Sequence, residues 1–264
     1  MAGSRRASVA SRACHDLVRI VPLHAPDNVP RRIEEAAVGA PTVKFTYRRG
    51  PLIGAAEVFT IFWGSAWKKS PALEHVDRLN RFFDVILSSG LIDQLGEYDT
   101  AKYTIRRGRR TGSATLTKPA PPRSLTDEAV QRFLRQQIAG RGVPKATPNT
   151  IFFIYLPPGV TVAMGGSRSC QAFCGYHSAV AGKTFYAVMP YPGCTGCTGG
   201  LTAFDALTST SSHELCEAIT DPNPGTGWYD DANGEIGDVC AWETKEVGGY
   251  TVQLEWSNRS RRCV

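Results

Sequence analysis

Five consecutive residues, His213-Glu214-Leu215-Cys216-Glu217, hold the side chains best able to do chemistry, and Thr220-Asp221-Pro222 follows them. On a helix, positions 213 and 217 lie one turn apart and project from the same face. Two metal donors at that spacing, with a glutamate beside the first, form the helix motif of zinc peptidases. Here the second donor is Glu217 instead of a histidine. A carboxylate is a competent zinc ligand, and its harder oxygen loosens the preference for zinc over calcium or manganese.

Such a site needs a third protein ligand and one position open to water. The stretch from Gly227 to Cys240 (GWYDDANGEIGDVC) supplies acids. Glu235, 18 residues beyond Glu217, is the first choice, with Asp238 as its rival and Asp221 as a third candidate. Asp231-Ala232-Asn233-Gly234-Glu235 also spaces oxygens around a glycine as a calcium loop does, though it is not a full EF-hand. The expected cofactor is Zn2+, with Ca2+ as the alternative. In a catalytic site Glu214 would deprotonate the attacking water, and the metal would polarise the scissile carbonyl. His177 or Tyr229 would donate to the developing oxyanion. For each of these two the competing reading is a packing or hydrogen-bonding residue.

Charge is unevenly distributed. From Asp205 to Glu246 there are ten acids against one base, Lys245, a block of −9 in a chain whose net charge is +6. Carboxylates this dense repel one another unless something positive sits among them. Cysteines cluster in the same half, at 170, 174, 194, 197, 216 and 240, with Cys14 and Cys263 near the ends and read as unpaired. The pairs Cys170/Cys174 and Cys194/Cys197 have the spacing of a four-thiolate zinc knuckle, or they form two disulfides. Cys216 and Cys240 are placed to bridge the helix to the acidic loop.

The elements that must position these residues follow from hydrophobic periodicity. Val43–Tyr47 alternates as a strand does. Glu57–Trp63, Thr150–Leu156 and Phe185–Met189 are short apolar, β-branched or aromatic runs and read as buried strands. Phe185–Met189, just before the metal helix, would align an extended peptide by backbone pairing. A helix opens at Ser70-Pro71, presents Leu73, Val76, Leu79, Phe82, Phe83, Ile86 and Leu87 on one stripe, and stops at Gly90. A second runs from the cap signal at Ser124 to about Ile138, and the third spans Thr202–Thr220. Tyr250–Trp256 reads as a late strand. The result is an α+β (mixed α/β) fold, a sheet packed on at least three helices, in one domain spanning residues 41–264. Residues 1–40 read as a flexible basic tail.

Several function classes drop out. No run approaches the ~20 apolar residues of a membrane helix. Lys102–Arg110 holds five bases in nine residues, but without interleaved aromatics or a recognition motif it reads as a solvated loop or hairpin, not a nucleic-acid surface. The N-terminus shows no apolar core of signal-peptide length.

Four segments together resemble the phosphate-induced, exordium-like family: Gly54–Trp67 (GAAEVFTIFWGSAW), Phe173–His177 (FCGYH), His213–Glu217 with Thr220–Pro222, and Trp228–Asp230 with Glu235–Cys240. The resemblance covers about residues 50 to 243. It implies a zincin-like core, an extracellular location and disulfides in place of a zinc knuckle. It also implies that His213, Glu214 and Glu217 are the family's His-Glu-x-x-Glu motif and that Glu235 is its downstream acid. Two functions are expected to compete: a zinc-dependent peptidase with a peptide or protein substrate, or a non-catalytic extracellular binding protein with a structural metal. Glu214 separates them, because a structural site has no use for a base beside its first ligand.

Overall fold

The computed structural model describes residues 20–22, by backbone, and 43–264. Along the chain it contains β1 (Ile20–Pro22), β2 (Thr46–Tyr47), β3 (Ala55–Trp63), α1 (Ala72–Ile86), α2 (Gly90–Asp93), β4 (Arg106–Leu116), β5 (Ser124–Thr126) and α3 (Asp127–Ala139). There follow β6 (Thr150–Tyr155), β7 (Thr161–Met164), β8 (Ser167–Arg168), β9 (Phe173–Val180), β10 (Thr184–Met189), α4 (Thr195–Thr198) and α5 (Ala203–Thr220). The chain ends in β11 (Trp228–Tyr229), β12 (Thr244–Val247), β13 (Tyr250–Gln253), β14 (Trp256–Ser257) and β15 (Arg262–Cys263). The fold is α+β.

One six-stranded sheet, ordered β1-β9-β10-β6-β3-β4, organises the molecule. β10, β6, β3 and β4 run parallel, while β9 and β1 are antiparallel to their neighbours. Successive side chains of a strand point to opposite faces, so each central strand feeds two cores. Val58, Phe62, Ile151, Phe153, Phe185 and Ala187 pack towards α1 and α5. Phe59, Ile61, Phe152, Ile154, Tyr186 and Val188 pack towards α3. Burial on both faces is why these strands read as continuous apolar runs.

β10 lies between β9 and β6, so both of its backbone edges are already paired. It cannot align a substrate peptide by backbone pairing, contrary to the expectation from its position in sequence. The expected tail over residues 1–40 lies outside the described residues except for Ile20–Pro22, which join the sheet edge beside β9. The basic run forms no hairpin. Arg106–Arg110 opens β4, the other sheet edge, and its four arginines pair with Asp99, Asp93, Glu57 and Asp84 at 3.6, 2.6, 2.9 and 2.9 Å.

The first helix spends its apolar stripe as expected on Leu79, Phe82, Phe83 and Ile86, but Leu73 in its first turn is 47% exposed. Gly90 opens the short α2, with the Ser89 hydroxyl accepting from Leu91 N at 3.2 Å. The cap of α3 is Thr126 instead of Ser124, and its hydroxyl accepts from Ala129 N. Among the described residues no helix is long and apolar enough to cross a membrane.

α5 is buried along nearly its whole length, sandwiched between β9 and β10 on one side and the β12–β13 hairpin on the other. Its run of Thr and Ser satisfies its hydroxyls locally and across the layers. Ser212 Oγ donates to Ser209 O at 2.7 Å, Thr208 Oγ1 donates to Thr251 O at 2.8 Å, and Ser211 shares a 2.8 Å bond with Tyr155. Thr202 caps the helix through Asp205 N.

Candidate metal centre

Three elements converge on one buried cluster. α5 contributes His213, Glu214 and Glu217, β9 contributes His177, and the loop from Glu235 to Asp238 contributes two acids. Gly175 lets α5 come close to β9, since a β-carbon there would sit 2.6 Å from the Thr210 methyl. The loop is shaped by a tight turn in which Asp230 and Gly234 exchange backbone hydrogen bonds at 2.9 Å, with Gly234 at φ 89°. Only glycine adopts that conformation at little cost. Gly237 is equally constrained: a β-carbon would meet His213 Nδ1 at 2.8 Å, Glu217 Oε1 at 2.9 Å and Glu255 Oε2 at 3.0 Å.

Two donor trios form, and Glu217 belongs to both. In the first, His177, Glu214 and Glu217 each bring a ligand atom within 4.8 Å of the others, and all three residues are buried. In the second, His213, Glu217 and Asp238 do the same, with Asp238 half-buried at the rim. His177 Nδ1 lies 2.8 Å from Glu214 Oε2 and 3.8 Å from Glu217 Oε2. Its Nε2 lies 3.1 Å from the Asp221 carbonyl and 3.5 Å from Glu235 Oε1. His213 Nε2 approaches Glu217 Oε1 to 3.1 Å but is not aligned for a hydrogen bond.

The polar inventory does not balance. Glu214 Oε1, Glu217 Oε2, both Glu235 oxygens and both Glu255 oxygens are buried without hydrogen-bond partners. Burial pushes the Glu214 carboxyl up against the pull of its His177 hydrogen bond. Burial likewise holds Glu235 and Glu255 well above the usual carboxylate range. For Glu217 burial also pushes up, but His213, His177 and the Gly237 amide outweigh it and bring the group below its ordinary value. Burial pushes His177 down, and the facing Glu235 and Glu214 carboxylates more than reverse this. A cluster so rich in buried carboxylates favours a cation, which removes the need for protons on them. The donor set of imidazole nitrogens and carboxylate oxygens fits a divalent ion such as zinc.

The structure redistributes the sequence-derived roles. His213 and Glu217 lie together with Asp238, the rival third ligand, while Glu214 lies with Glu217 and His177. Glu235 enters the cluster from the His177 side and is in neither trio, so Asp238 is the acid grouped with His213 and Glu217. His177 has both ring nitrogens directed at protein acceptors and is a donor-cluster member, not an oxyanion donor. Tyr229 sits buried in β11, paired with Thr46 and covered by the Arg48 guanidinium 4.4 Å from its ring centre. Asp221 turns back to cap its own loop, accepting from Gly225, Thr226 and Gly227 amides. The calcium-like spacing does not close into a cage. Asp231 is exposed and pairs with Arg48, Asn233 donates to Asp230, and Glu235 points into the cluster.

Cysteine pairing also departs from expectation in part. Cys170–Cys194 and Cys174–Cys197 are disulfides, which removes the four-thiolate knuckle. Cys240 bonds Cys263 instead of Cys216, and Cys216 is a buried free thiol on α5. Cys14 lies outside the described residues.

Two functional neighbours escaped the sequence reading. Gln253 on β13 donates from Nε2 to His213 Nδ1 at 2.7 Å and to the Gly237 carbonyl at 2.9 Å. Glu255 is fully buried beside them. The only hint in sequence is a pair of polar residues inside the otherwise strand-like YTVQLEW. Compared with models of protein families and with curated proteins, the chain matches none.

Proposed function

We propose that this chain is a metal-dependent hydrolase acting on peptide bonds, with its divalent ion held in the cluster formed by α5, β9 and the Glu235–Asp238 loop. One observation carries the reading: buried carboxylate oxygens without partners, gathered around two imidazoles, His177 of β9 and His213 of the helix with His-Glu-x-x-Glu spacing. Uncompensated carboxylates in an interior cost several kcal/mol each, on the order of the penalty for any buried ion, unless a counter-charge is present. A divalent ion held there would polarise a scissile carbonyl as a Lewis acid. Glu214 retains one unpartnered oxygen and Glu235 two, so both are placed to take a proton from an attacking water. The half-buried Asp238 marks the side on which the cluster meets the surface. The three disulfides suit an oxidising, extracellular setting.

A second reading, a non-catalytic exordium-like extracellular binding protein with a structural metal, is favoured by the depth of the site. His177, His213, Glu214, Glu217 and Glu235 are all at 0% exposure. Two surface cavities, of about 800 Å³ beside Phe59 and Arg141 and about 410 Å³ beside Ile92 and Arg106, are lined by none of these residues.

Elemental analysis of protein purified without chelators, paired with a peptide-library cleavage assay, separates the readings. The hydrolase reading expects about one equivalent of zinc and cleavage that disappears in Glu235→Gln while the metal stays. Bound metal with no cleavage would select the structural reading. Absence of metal would sink both.

A further inference from the structure

The four cysteines that the sequence spaces like a zinc knuckle are brought to one place by the fold. Cys170 is bonded to Cys194 and Cys174 to Cys197, and the two bridges lie side by side. The sulfurs of Cys170, Cys194 and Cys197 are all within 4.8 Å of one another, and Cys174 is bonded to the last of them. In a tetrahedral zinc–thiolate site, with Zn–S of about 2.3 Å, neighbouring sulfurs stand about 3.8 Å apart. The spacing between the two bridges is already of that order. As disulfides these sulfurs carry no charge for a metal, because the thiolate is the ligand form.

The backbone around the sulfurs is held by hydrogen bonds of its own. Cys170 and Cys174 flank one tight turn, closed by Cys170 N donating to Phe173 O at 2.9 Å. Cys194 caps α4, where Cys197 N and Thr198 N donate to Cys194 O at 3.0 and 3.2 Å. Cys174 lies in β9, and α4 packs on β9 and α5. Trp242 packs against the sulfurs. Two ligands from each of two such turns is how a four-thiolate zinc site is assembled. The disulfides join the same two turns crosswise, so opening them leaves four thiols facing one another.

We propose that Cys170, Cys174, Cys194 and Cys197 form a redox-gated zinc site: two disulfides in an oxidising setting, one four-thiolate zinc centre in a reducing one. Opening both bridges takes four electrons and four protons. Two molecules of a dithiol reductant supply them, each being oxidised to its own disulfide. Zinc then displaces the four thiol protons. Cys170 and Cys194 are half-buried, whereas Cys174 and Cys197 are 4% and 2% exposed, so a reductant meets the Cys170–Cys194 bridge first. Thiolates select zinc over calcium, unlike the carboxylate-rich α5 cluster. Either state ties α4 to β9, so the switch changes what the site holds and not how the fold is linked. The proposal is independent of the α5 metal centre.

The test titrates Co2+ and then Zn2+ into the full chain, untreated and after anaerobic reduction by a water-soluble phosphine, which takes one water per disulfide and leaves as its oxide. Cobalt–thiolate charge-transfer absorption is the readout, because the donor trios of the α5 cluster hold only nitrogen and oxygen ligands. The untreated chain is expected to show none. The reduced chain is expected to bind one equivalent, displaced by zinc, and zinc at about 100 times its Kd should raise its Tm by about 5 to 10 °C. The double variant Cys170→Ser, Cys194→Ser should lose the absorption, and Cys240→Ser, Cys263→Ser should keep it. A reduced chain without the absorption, folded or not, would overturn the proposal. Absorption that survives in the first double variant would place the metal on other thiols and overturn it too. Absorption without any gain in Tm would do the same, since the thiols would then meet only in an unfolded chain. Absorption before reduction would overturn the gating.

Discussion

Tyr176 and His177 are neighbours on β9, and they lead to two buried acid clusters on opposite faces of the sheet. Tyr176 donates to Asp127 Oδ1 at 2.8 Å, Tyr186 donates to the same oxygen at 2.7 Å, and Gln131 donates to Oδ2 at 2.8 Å. One carboxylate thus meets three neutral donors and sits in the first turn of α3, where the helix dipole also favours it. His177 leads to Glu214, Glu217 and Glu235, whose oxygens outnumber the donors around them. The first cluster is complete with protein atoms alone. The second has carboxylate oxygens that no protein donor reaches, which protons or a cation would satisfy. Burial of an acid is therefore no mark of function by itself, whereas burial of several without donors calls for protons or a cation among them.

The sharpest way to break the comparison is to remove the proposed metal. Stripping it with a strong chelator is expected to cost about 4 kcal/mol, the linkage from a ligand at about 1,000 times its Kd. That corresponds to a Tm drop of more than about 8 °C for a domain of this size. An unchanged Tm in calorimetry would place the α5 cluster in the same class as the Asp127 cluster. Next comes Asp127→Ala, which strands two buried tyrosine hydroxyls. A loss of about 3 kcal/mol is expected, from about 1–3 kcal/mol per unsatisfied group, in denaturant unfolding, with zinc content unchanged. A fall in zinc content would mean the two faces are coupled through β9.

The third prediction uses pH. Glu235 and Glu255 are held above their ordinary value of 4.5 and His177 above 6.5. In the windows above those values the metal-free fold holds more protons than the unfolded chain, so its stability falls as pH rises. Glu217, held low, opposes this only in the acid range. The metal-free protein should melt lower at about pH 8 than at about pH 5.5, and zinc should flatten the trend because it replaces the protons. A metal-free Tm that rises over this range would contradict the burial of these acids. The smallest effect belongs to the basic edge. Arg109→Ala removes an exposed pair with Glu57 and should change stability by less than about 1 kcal/mol, with zinc content unmoved.

The elements that place the site were legible to different degrees for physical reasons. β3, β6 and β10 are buried on both faces, so their apolar runs announced them. α5 announced itself by its Thr202 cap and by Pro222 beyond its end. β9 did not. Its residues FCGYHSAV mix a glycine, a serine and a histidine because one face feeds an aromatic core and the other a polar site. The acidic loop was found by charge density, but which of its acids turns inward depends on the Asp230–Gly234 turn, which orients Glu235 and Asp238 differently.

What the sequence determined on its own was the chemistry available: a helix with His-Glu-x-x-Glu spacing, an acid-dense loop behind it, and strands able to bury both. Those are local properties of spacing and side-chain type. The tertiary structure decided the partners. It put His177 from an antiparallel strand against Glu214, seated Gln253 on His213, sent Cys240 to Cys263, and closed both edges of β10. The first three of these join residues 37, 40 and 23 positions apart that meet only in space. The proton on an imidazole is set by the atom across from it, which no pattern along the chain specifies.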